Sequence, residues 1–130
     1  QQPIPIWIGG NSTISLRRVA TRAQGWMPLT GPAETASTAR SPHLESIASI
    51  RTRLDMLREM AGDRFEQLDL LIAYMDPTIH QPTVDVERHR EAFAAYRELG
   101  ATWIAVAGPA GVHPAATEFA QAFGATYLDA

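Results

Sequence analysis

The sequence contains no cysteine and no lysine. Without thiols, neither a disulfide framework nor a thiolate metal site can form, which fits the reducing cytosol. All 11 basic residues are arginines, scattered singly except for the pair Arg17 and Arg18, and the formal net charge is −3. Nucleic acids and membrane surfaces attract proteins with a basic excess, which this chain lacks. We therefore expect a cytoplasmic protein that binds neither nucleic acid nor a membrane.

Long hydrophobic runs and a signal-peptide pattern are also missing, so the sequence offers no segment suited to crossing a bilayer. The histidines share no spacing typical of metal ligands, and we expect no metal site. His80 is the best placed of them, in a loop directly after a predicted strand, and we interpret it as a surface histidine. The four histidines are His43, His80, His89 and His113.

Length and composition are typical of one globular domain. The chain has 130 residues, of which 45% are apolar and 19% charged, and we predict a single domain over residues 1–130. The first residue is Gln1 rather than methionine, and the first predicted strand follows within a few residues. We therefore expect the chain to begin inside a longer protein.

Residues 5–12 (PIWIGGNS) are the most informative stretch of the sequence. An apolar run of strand type ends at two glycines, after which Asn11 and Ser12 can cap a helix. That helix has apolar residues at helical spacing, namely Leu16, Val19, Ala20 and Ala23. Free backbone N–H groups, the helix dipole and glycine together favour an anion at such a junction. The sequence therefore predicts a strand–turn–helix junction that can hold a phosphate.

Three more strand-then-helix units follow in the sequence. Because parallel strands joined by helices require right-handed crossovers, we predict an α/β fold with a parallel sheet. The near-continuous apolarity of the third strand predicts that both of its faces are covered. The predicted strands are 26–29, 68–75 and 102–107, and the predicted helices run from Ser41 to Gly62, from Asp85 to Gly100 and from His113 to Gly124. We predict loops at 31–43 and 76–83 and a possible short extended segment at 124–128.

The helical periodicity and the tryptophans predict the core. Each tryptophan lies in or next to a predicted strand, and we expect it to pack in the core rather than stack on a cofactor. Candidate inward-facing residues are Leu44, Ile47, Ala48, Leu54, Leu57 and Ala61 of the second helix, His89, Ala92, Phe93, Tyr96 and Leu99 of the third, Ala115, Ala116, Phe119, Ala120 and Phe123 of the fourth, and the tryptophans Trp7, Trp26 and Trp103.

Two architectures suit four consecutive β-α units. One is a free-standing doubly wound sheet, which binds ligands at the carboxyl ends of its strands. The other is half of a TIM-type (β/α)8 barrel, which would leave two edge strands and the inner face of the sheet exposed. That surface would have to be buried against a missing half or against a second copy of the chain.

Three motifs of the first 30 residues resemble the luciferase-like family of flavin- or coenzyme F420-dependent oxidoreductases. They are residues 5–12 (PIWIGGNS), 16–20 (LRRVA) and 25–28 (GWMP). Later pieces agree in order, with an arginine-rich helix that ends near residues 61–64 (AGDR) and residues 96–101 (YRELGA) before an apolar strand. One departure is Gln24, where the family usually has aspartate.

The resemblance implies a β/α barrel of which this chain is the C-terminal half. It implies that FMN or coenzyme F420 binds at the carboxyl end of the barrel, with its phosphate at Gly9, Gly10, Asn11 and Ser12. Because the edges and inner face of a half-barrel need a partner, we also expect a homo-oligomer. The proton-transferring residues of the family lie on the other half of the barrel. No catalytic residue is therefore carried over, and we expect this part to be inactive alone.

Two other functions fit the sequence. The first is a non-enzymatic half-barrel that dimerises through its open edges and binds a phosphate-bearing ligand or a partner chain. The second is an independent flavodoxin-like domain that binds FMN as a monomer. The choice between FMN and coenzyme F420 and the identity of the substrate stay open at this point.

Overall fold

The chain is an α/β protein whose four strands form one parallel sheet. A computed structural model describes residues 4–109 and 113–128. The strands are hydrogen-bonded in the order β1-β2-β3-β4. In chain order the elements are β1 (Trp7–Gly9), α1 (Thr13–Arg22), β2 (Gly25–Met27), α2 (Ala33–Thr38), α3 (Ile47–Ala61), a 3-10 turn (Gly62–Gln67), β3 (Asp69–Tyr74), a second 3-10 turn (Pro77–His80), α4 (Val86–Leu99), β4 (Trp103–Val106) and α5 (His113–Tyr127).

The two faces of the sheet differ in burial. Along β3, Leu70, Ile72 and Tyr74 are buried under the helices, whereas Leu71 and Ala73 on the other face are half-exposed. The prediction that both faces of this strand are covered is therefore wrong. A continuous apolar run shows that both faces of a strand are apolar. It does not show whether helices of the same chain pack on each of the two faces.

The helices pack on the covered face through the residues that periodicity selects. In α3, the predicted Leu54 and Leu57 are buried, together with Ile50, which the prediction missed; intervals of four and three residues place the three on one side of the helix. Ala48, which was expected to point inward, is exposed. The largest group of buried apolar side chains comprises Leu16, Val19, Ala20, Ala23, Trp26, Leu44, Ile50, Leu54, Leu57, Leu70, Ile72 and Leu99.

The structure corrects the boundaries of two predicted elements in the first half of the chain. Helix α3 begins at Ile47 rather than at the Ser41–Pro42 pair, because Ser46 and Ser49 form a reciprocal capping box. Residues 31–43 are not all loop, since they contain α2, and β2 ends at Met27 rather than at Leu29.

Helix α5 runs through Gly124 to Tyr127, so the predicted helix end at Gly124 and the extended segment 124–128 are both wrong. A glycine inside a helix costs about 1 kcal/mol relative to alanine. Here the aromatic side chains of α5 hold the helix together beyond it, because Phe123 and Tyr127 stack on each other and both contact Phe93 of α4. Ala115 and Ala116, expected to be inward-facing, are exposed.

The three tryptophans have different environments. Trp26 is buried in the core as predicted, with 1% of its surface exposed. Trp103 is 56% exposed on the open face of the sheet, so its predicted burial is wrong. Trp7 is half-buried and its ring centroid lies 5.9 Å from that of Trp103. Its indole lies over Gly25, where an added Cβ would come within 2.6 Å of the ring.

Arg64, in the 3-10 turn after α3, caps the carboxyl end of α1. Its Nη1 donates to the carbonyls of Val19 and Ala20, each at 2.9 Å, and its Nη2 donates to the carbonyl of Ala23. These carbonyls belong to the last turn, where the helix dipole favours a cation. Arg64 thereby ties α1 to the end of α3.

We expect Arg64→Ala to lower the free energy of unfolding by about 1.5–3 kcal/mol, since hydrogen bonds to a charged group are lost and carbonyls lose their partner. Urea denaturation followed by circular dichroism measures this change. The matched control is Arg51→Ala, which removes an exposed arginine of α3 and should change stability by less than about 0.5 kcal/mol. Equal effects of the two substitutions would contradict the capping role.

A hydrogen-bond chain that is buried between Tyr74 and His89 and reaches the surface at Asp76 joins β3 to α4. Thr78 donates its hydroxyl proton to the carboxylate of Asp76 at 2.8 Å, so its oxygen must accept from Nε2–H of His89, 3.3 Å away. Nδ1 of His89 then accepts from the Tyr74 hydroxyl at 2.6 Å. Both ring nitrogens of the fully buried His89 are therefore occupied. The predicted inward position of this histidine is confirmed.

Burial, and next the carboxylate of Asp76, raises the pKa of Tyr74 from 10.0 to about 12. Because the pKa of Tyr74 is higher in the folded than in the unfolded chain, its contribution to stability is fully present below pH 10.0. That contribution is lost as the pH rises toward about 12. Burial also raises the pKa of Tyr96 and that of Tyr127, so the assignment rests on a difference between two titrations. We expect the ultraviolet titration of the chain to show a tyrosine that ionises near pH 12 and the titration of Tyr74→Phe to lack that step. The control is the chain in guanidinium, where every tyrosine should ionise near 10. Unchanged titration of Tyr74→Phe would contradict the assignment.

Candidate functional site

The predicted strand–turn–helix junction is present at the carboxyl end of β1. Gly10 has φ +96°, a conformation that favours glycine, and its amide donates to the Met27 carbonyl at 3.3 Å. Its carbonyl accepts from Nε1 of Trp26 at 2.9 Å. Ser12 is the N-cap of α1, since its Oγ accepts from the Ser15 amide at 3.1 Å. The turn is thus held against β2 by its own backbone.

Asn11 has a different role from the predicted one. Its side chain is fully buried, and Nδ2 donates to the carbonyls of Leu29 and Pro42 at 2.8 and 2.7 Å. Its Oδ1 accepts from the Leu29 amide at 2.8 Å, and its own amide donates to Oγ of Ser41 at 2.8 Å. The side chain therefore caps no helix and offers no free atom to a ligand. It positions the segments that surround the turn.

A cleft of about 600 Å³ opens beside the turn. Gly9, Gly10 and Ser12 line it, and so does Arg40, which lies two residues after the end of α2. The wall also contains apolar side chains of the open face of the sheet, namely Met27, Leu71, Ala73 and Met75, and residues of the segments that follow β2 and flank α2. The cleft therefore combines polar groups and one cation, which we call its polar end, with apolar side chains, which we call its apolar end.

The polar end of the cleft is suited to an anion. The amides of Thr13 and Ile14, in the first turn of α1, have no hydrogen-bond partner among residues 4–109 and 113–128. That turn contains no acidic residue, so nothing on the helix itself neutralises the positive end of its dipole. The guanidinium of Arg40 forms no ion pair with any Asp or Glu side chain of these described residues. Thr13 and Ile14 do not line the cleft themselves, but Ser12 directly before them and Arg40 both do, so the start of α1 borders a space that a phosphate could occupy.

Arg40 is the functional candidate that the sequence does not reveal. It lies in residues 31–43, which carry no periodicity and were predicted to be loop. Its position depends on α2 and on the hydrogen bonds from Asn11 to Ser41 and Pro42, which connect residues 30 or more positions apart. The only local signal is a single arginine directly before the Ser41–Pro42 pair.

A second cleft of about 550 Å³ adjoins the first along the carboxyl edge of the sheet, where both are lined by Thr30, Ala73 and Met75. His43 lines it and donates Nε2–H to the Gly31 carbonyl at 2.9 Å. Nδ1 of the ring then faces the carboxylate of Glu45 at 3.6 Å. This cleft brings titratable groups near the anion end, although sequence reasoning placed His43 in a loop without a role.

The other candidate histidine, His80, ends the second 3-10 turn and is exposed, as predicted, but it lines neither cleft. In the part of the chain that the structure describes, no three His, Asp or Glu side chains come together as a metal site would require. His113 begins α5, and its side chain lies outside the described residues.

Comparison with known proteins assigns this chain to no group: no family model, curated protein or solved structure matches it significantly. Among residues 4–109 and 113–128, no helix combines the length and the apolar character that crossing a bilayer requires.

We expect Asn11→Ala to lower the free energy of unfolding by about 2 kcal/mol or more, because two carbonyls and one amide lose their buried partner. Urea denaturation measures the loss. The matched control is Gln81→Ala, which shortens an exposed amide side chain and should leave stability within about 0.5 kcal/mol. A stability loss below 0.5 kcal/mol in Asn11→Ala would show that the turn does not depend on this side chain.

Proposed function

We propose that this chain is the C-terminal half of a TIM-type (β/α)8 barrel of the luciferase-like oxidoreductase kind, and that it holds the phosphate of FMN or coenzyme F420. The observation that carries the proposal is the cleft at the carboxyl edge of the sheet. There the turn of Gly9 and Gly10, the first turn of α1 and the guanidinium of Arg40 border one space.

The polar end supplies what a phosphate ester requires. Backbone amides at the start of a helix donate to anionic oxygens, and glycine lets those oxygens approach the backbone closely. Arg40, which also lines the cleft, adds a full positive charge, and an arginine can donate two parallel hydrogen bonds to one phosphate. Asn11 takes part indirectly, since it orients the turn.

The apolar end of the cleft favours a phosphate attached to a flat, largely apolar ring over a free phosphate. Met27, Leu71 and Met75 present side chains without charge, and Gly9 leaves the sheet surface accessible beside them. Ligand pockets are commonly apolar with a few polar groups that fix orientation. The isoalloxazine of FMN and the deazaflavin of coenzyme F420 both match this division.

A half-barrel is supported by the topology of the sheet. Its four parallel strands lie in chain order, so that neighbours in sequence are neighbours in space, and each is followed by a helix. That order is typical of the (β/α)8 barrel, in which sites lie at the carboxyl ends of the strands. The open face of the sheet would then be the inside of the barrel.

The chemistry of the proposed enzyme is hydride transfer, which the bound cofactor supplies. The part of this chain is to bind the phosphate and to hold the ring against the open face of the sheet. We assign no catalytic residue to it, and we expect no turnover from this chain alone. A cytoplasmic location belongs to the same proposal.

The second candidate function is a non-enzymatic half-barrel that dimerises and binds a phosphate-bearing ligand or a partner chain. The exposed apolar side chains on the open face favour it, since Met75 is 59% exposed and Trp103 56% exposed. The two candidates share the phosphate site and differ in what covers this face.

Binding of flavins by isothermal titration calorimetry tests the phosphate site. We expect FMN or coenzyme F420 to bind more tightly than riboflavin, which lacks the phosphate, and inorganic phosphate to compete. Arg40→Gln should weaken binding of the phosphorylated ligand by about 10- to 100-fold, because a charge-assisted hydrogen bond contributes about 1.5–3 kcal/mol. Binding of riboflavin should not change.

The matched control for Arg40→Gln is Arg22→Gln, which removes an exposed arginine at the other end of α1. It should leave binding unchanged. Riboflavin that binds as tightly as FMN, or equal weakening by both substitutions, would contradict a specific phosphate site.

A further inference from the structure

Helix α2 forms part of the wall of the cleft. Thr35 of the helix lines the cleft, and so do Ala39 and Arg40 directly after it. Ordered as a helix, these residues enclose the cleft on one side, whereas unfolded they would leave that side open to water. How far the cleft is enclosed therefore depends on whether α2 is formed.

Few contacts connect α2 to the rest of the molecule. Of its six residues only Ala36 is buried. Within residues 4–109 and 113–128, no side chain of residues 33–39 takes part in a hydrogen bond or an ion pair. Their backbone hydrogen bonds to residues outside the helix reach only its own flanks, at positions 32 and 39–41. Helices in proteins owe most of their stability to the packing of an apolar face, which α2 nearly lacks.

The sequence of α2 also supplies little helix stability of its own. Six residues are far fewer than the roughly 12–15 at which isolated helices become even marginally stable. Ser37 and Thr38 have a lower helix propensity than alanine, and both are exposed. The N-cap is Pro32, whose side chain accepts no hydrogen bond from the first turn. The exposed carboxylate of Glu34 contributes only a small interaction with the helix dipole.

The end of α2 is weakened by the residue that carries the positive charge of the cleft. The Arg40 amide donates to the Ser37 carbonyl at 3.0 Å and the Ser41 amide to the Ala36 carbonyl at 2.9 Å, which is the Schellman arrangement. Arg40 occupies the left-handed position of this motif, with φ +48°. Glycine is preferred there, because a Cβ makes the conformation less favourable. An arginine at this position places a guanidinium at the cleft and destabilises the helix before it.

The ends of the segment that contains α2 are, in contrast, firmly held. The side chain of Asn11 binds the Pro42 carbonyl, and its amide donates to Oγ of Ser41. Nε2–H of His43 donates to the Gly31 carbonyl at 2.9 Å, which joins the two ends of the segment. Surface loops whose ends lie close together are frequently functional. The segment thus has a weakly held middle between two fixed ends.

We propose that residues 32–40 form a lid over the cleft, only partly ordered in the free chain, which an anion bound to Arg40 holds in the ordered state. The closing ligand is the phosphate of the proposed function, on which this inference rests. Arg40 lines the cleft when α2 is formed, so a phosphate that pairs with its guanidinium favours that state. A ligand that binds one of two states better shifts the population toward it.

Closure of the lid has two effects on the ligand. The ordered lid excludes water beside the phosphate, which strengthens the charged hydrogen bonds there. The free energy needed to order α2 is subtracted from the free energy of binding, since each binding event must also order the lid. The affinity for the phosphate ester therefore depends on the stability of α2, even at residues that do not touch the ligand.

Hydrogen exchange followed by mass spectrometry tests the lid in the free chain. We expect the amides of residues 35–39 to exchange about 100-fold faster than those in the middle of α3. Saturating FMN or coenzyme F420, whichever binds more tightly in calorimetry, should slow the α2 amides by about fivefold or more. Exchange in α2 that is as slow as in α3 without a ligand would overturn the lid, whether or not a flavin binds.

Substitutions at Ser37 and Thr38 test the coupling to the ligand, because both residues are exposed and neither lines the cleft. Ser37→Ala with Thr38→Ala stabilises α2, so calorimetry should find the flavin bound about two- to fivefold more tightly. Ser37→Gly with Thr38→Gly should weaken binding by a similar factor of about two to five. The matched control is Thr52→Gly, which makes the same kind of change at an exposed position of α3 and should leave binding unchanged.

The lid and the phosphate site can fail separately. Opposite shifts of the alanine and glycine variants, together with fast exchange of α2 in the free chain, would establish the lid. Equal affinities of these variants would overturn the lid and leave the phosphate site in place. Binding of neither FMN nor coenzyme F420 would overturn the phosphate site, and the lid with it, because no closing ligand would remain.

Discussion

The hydrogen bonds of the Asn11 side chain are the constraint on which the candidate site depends. One amide group joins the end of β1 to Leu29 after β2 and to Pro42 before α3. Since these groups are buried, any rearrangement of the segments would leave carbonyls or amides without partners. The same arrangement places Ser41 against the turn and, next to it, Arg40 in the wall of the cleft. Asn11 therefore acts on a ligand only through the position of other residues.

The second constraint is the unequal cover of the sheet. Helices α1, α3 and α4 bury one face, whereas the other is half-buried or exposed except at Gly25, which the Trp7 indole covers. Burial of apolar area contributes about 25 cal/mol per Å², so an uncovered face forgoes a large part of the stabilisation that its composition could provide. The apolar sequence of β3 is consistent with a strand that needs a layer on both sides, of which this chain supplies one.

Local pattern predicted the strands to within a few residues and most of the buried positions of the helices. The turn of residues 9–12 was predictable because its signal is contiguous: an apolar run, two glycines and a capping serine. Arg40 and the true role of Asn11 were not, because both depend on contacts between residues distant in sequence. Gly124 and Trp103 were misjudged for a related reason. Aromatic packing overrode the helix-breaking tendency of the glycine, and only the topology shows that no layer covers Trp103.

Residues of this chain form the anion end of the cleft more completely than the apolar end. The anion end uses the turn, the start of α1 and Arg40, all held by contacts within the chain. The apolar end is a sheet surface that continues to β1, whose other edge pairs with no strand in the part of the chain that the structure describes. A phosphate would therefore find most of its donors in place, whereas a ring beside it would be enclosed only when another wall covers the sheet. In this proposed arrangement, the chain can bind the phosphate before another wall covers the sheet. The affinity for a ring would depend on that wall far more than the affinity for phosphate would.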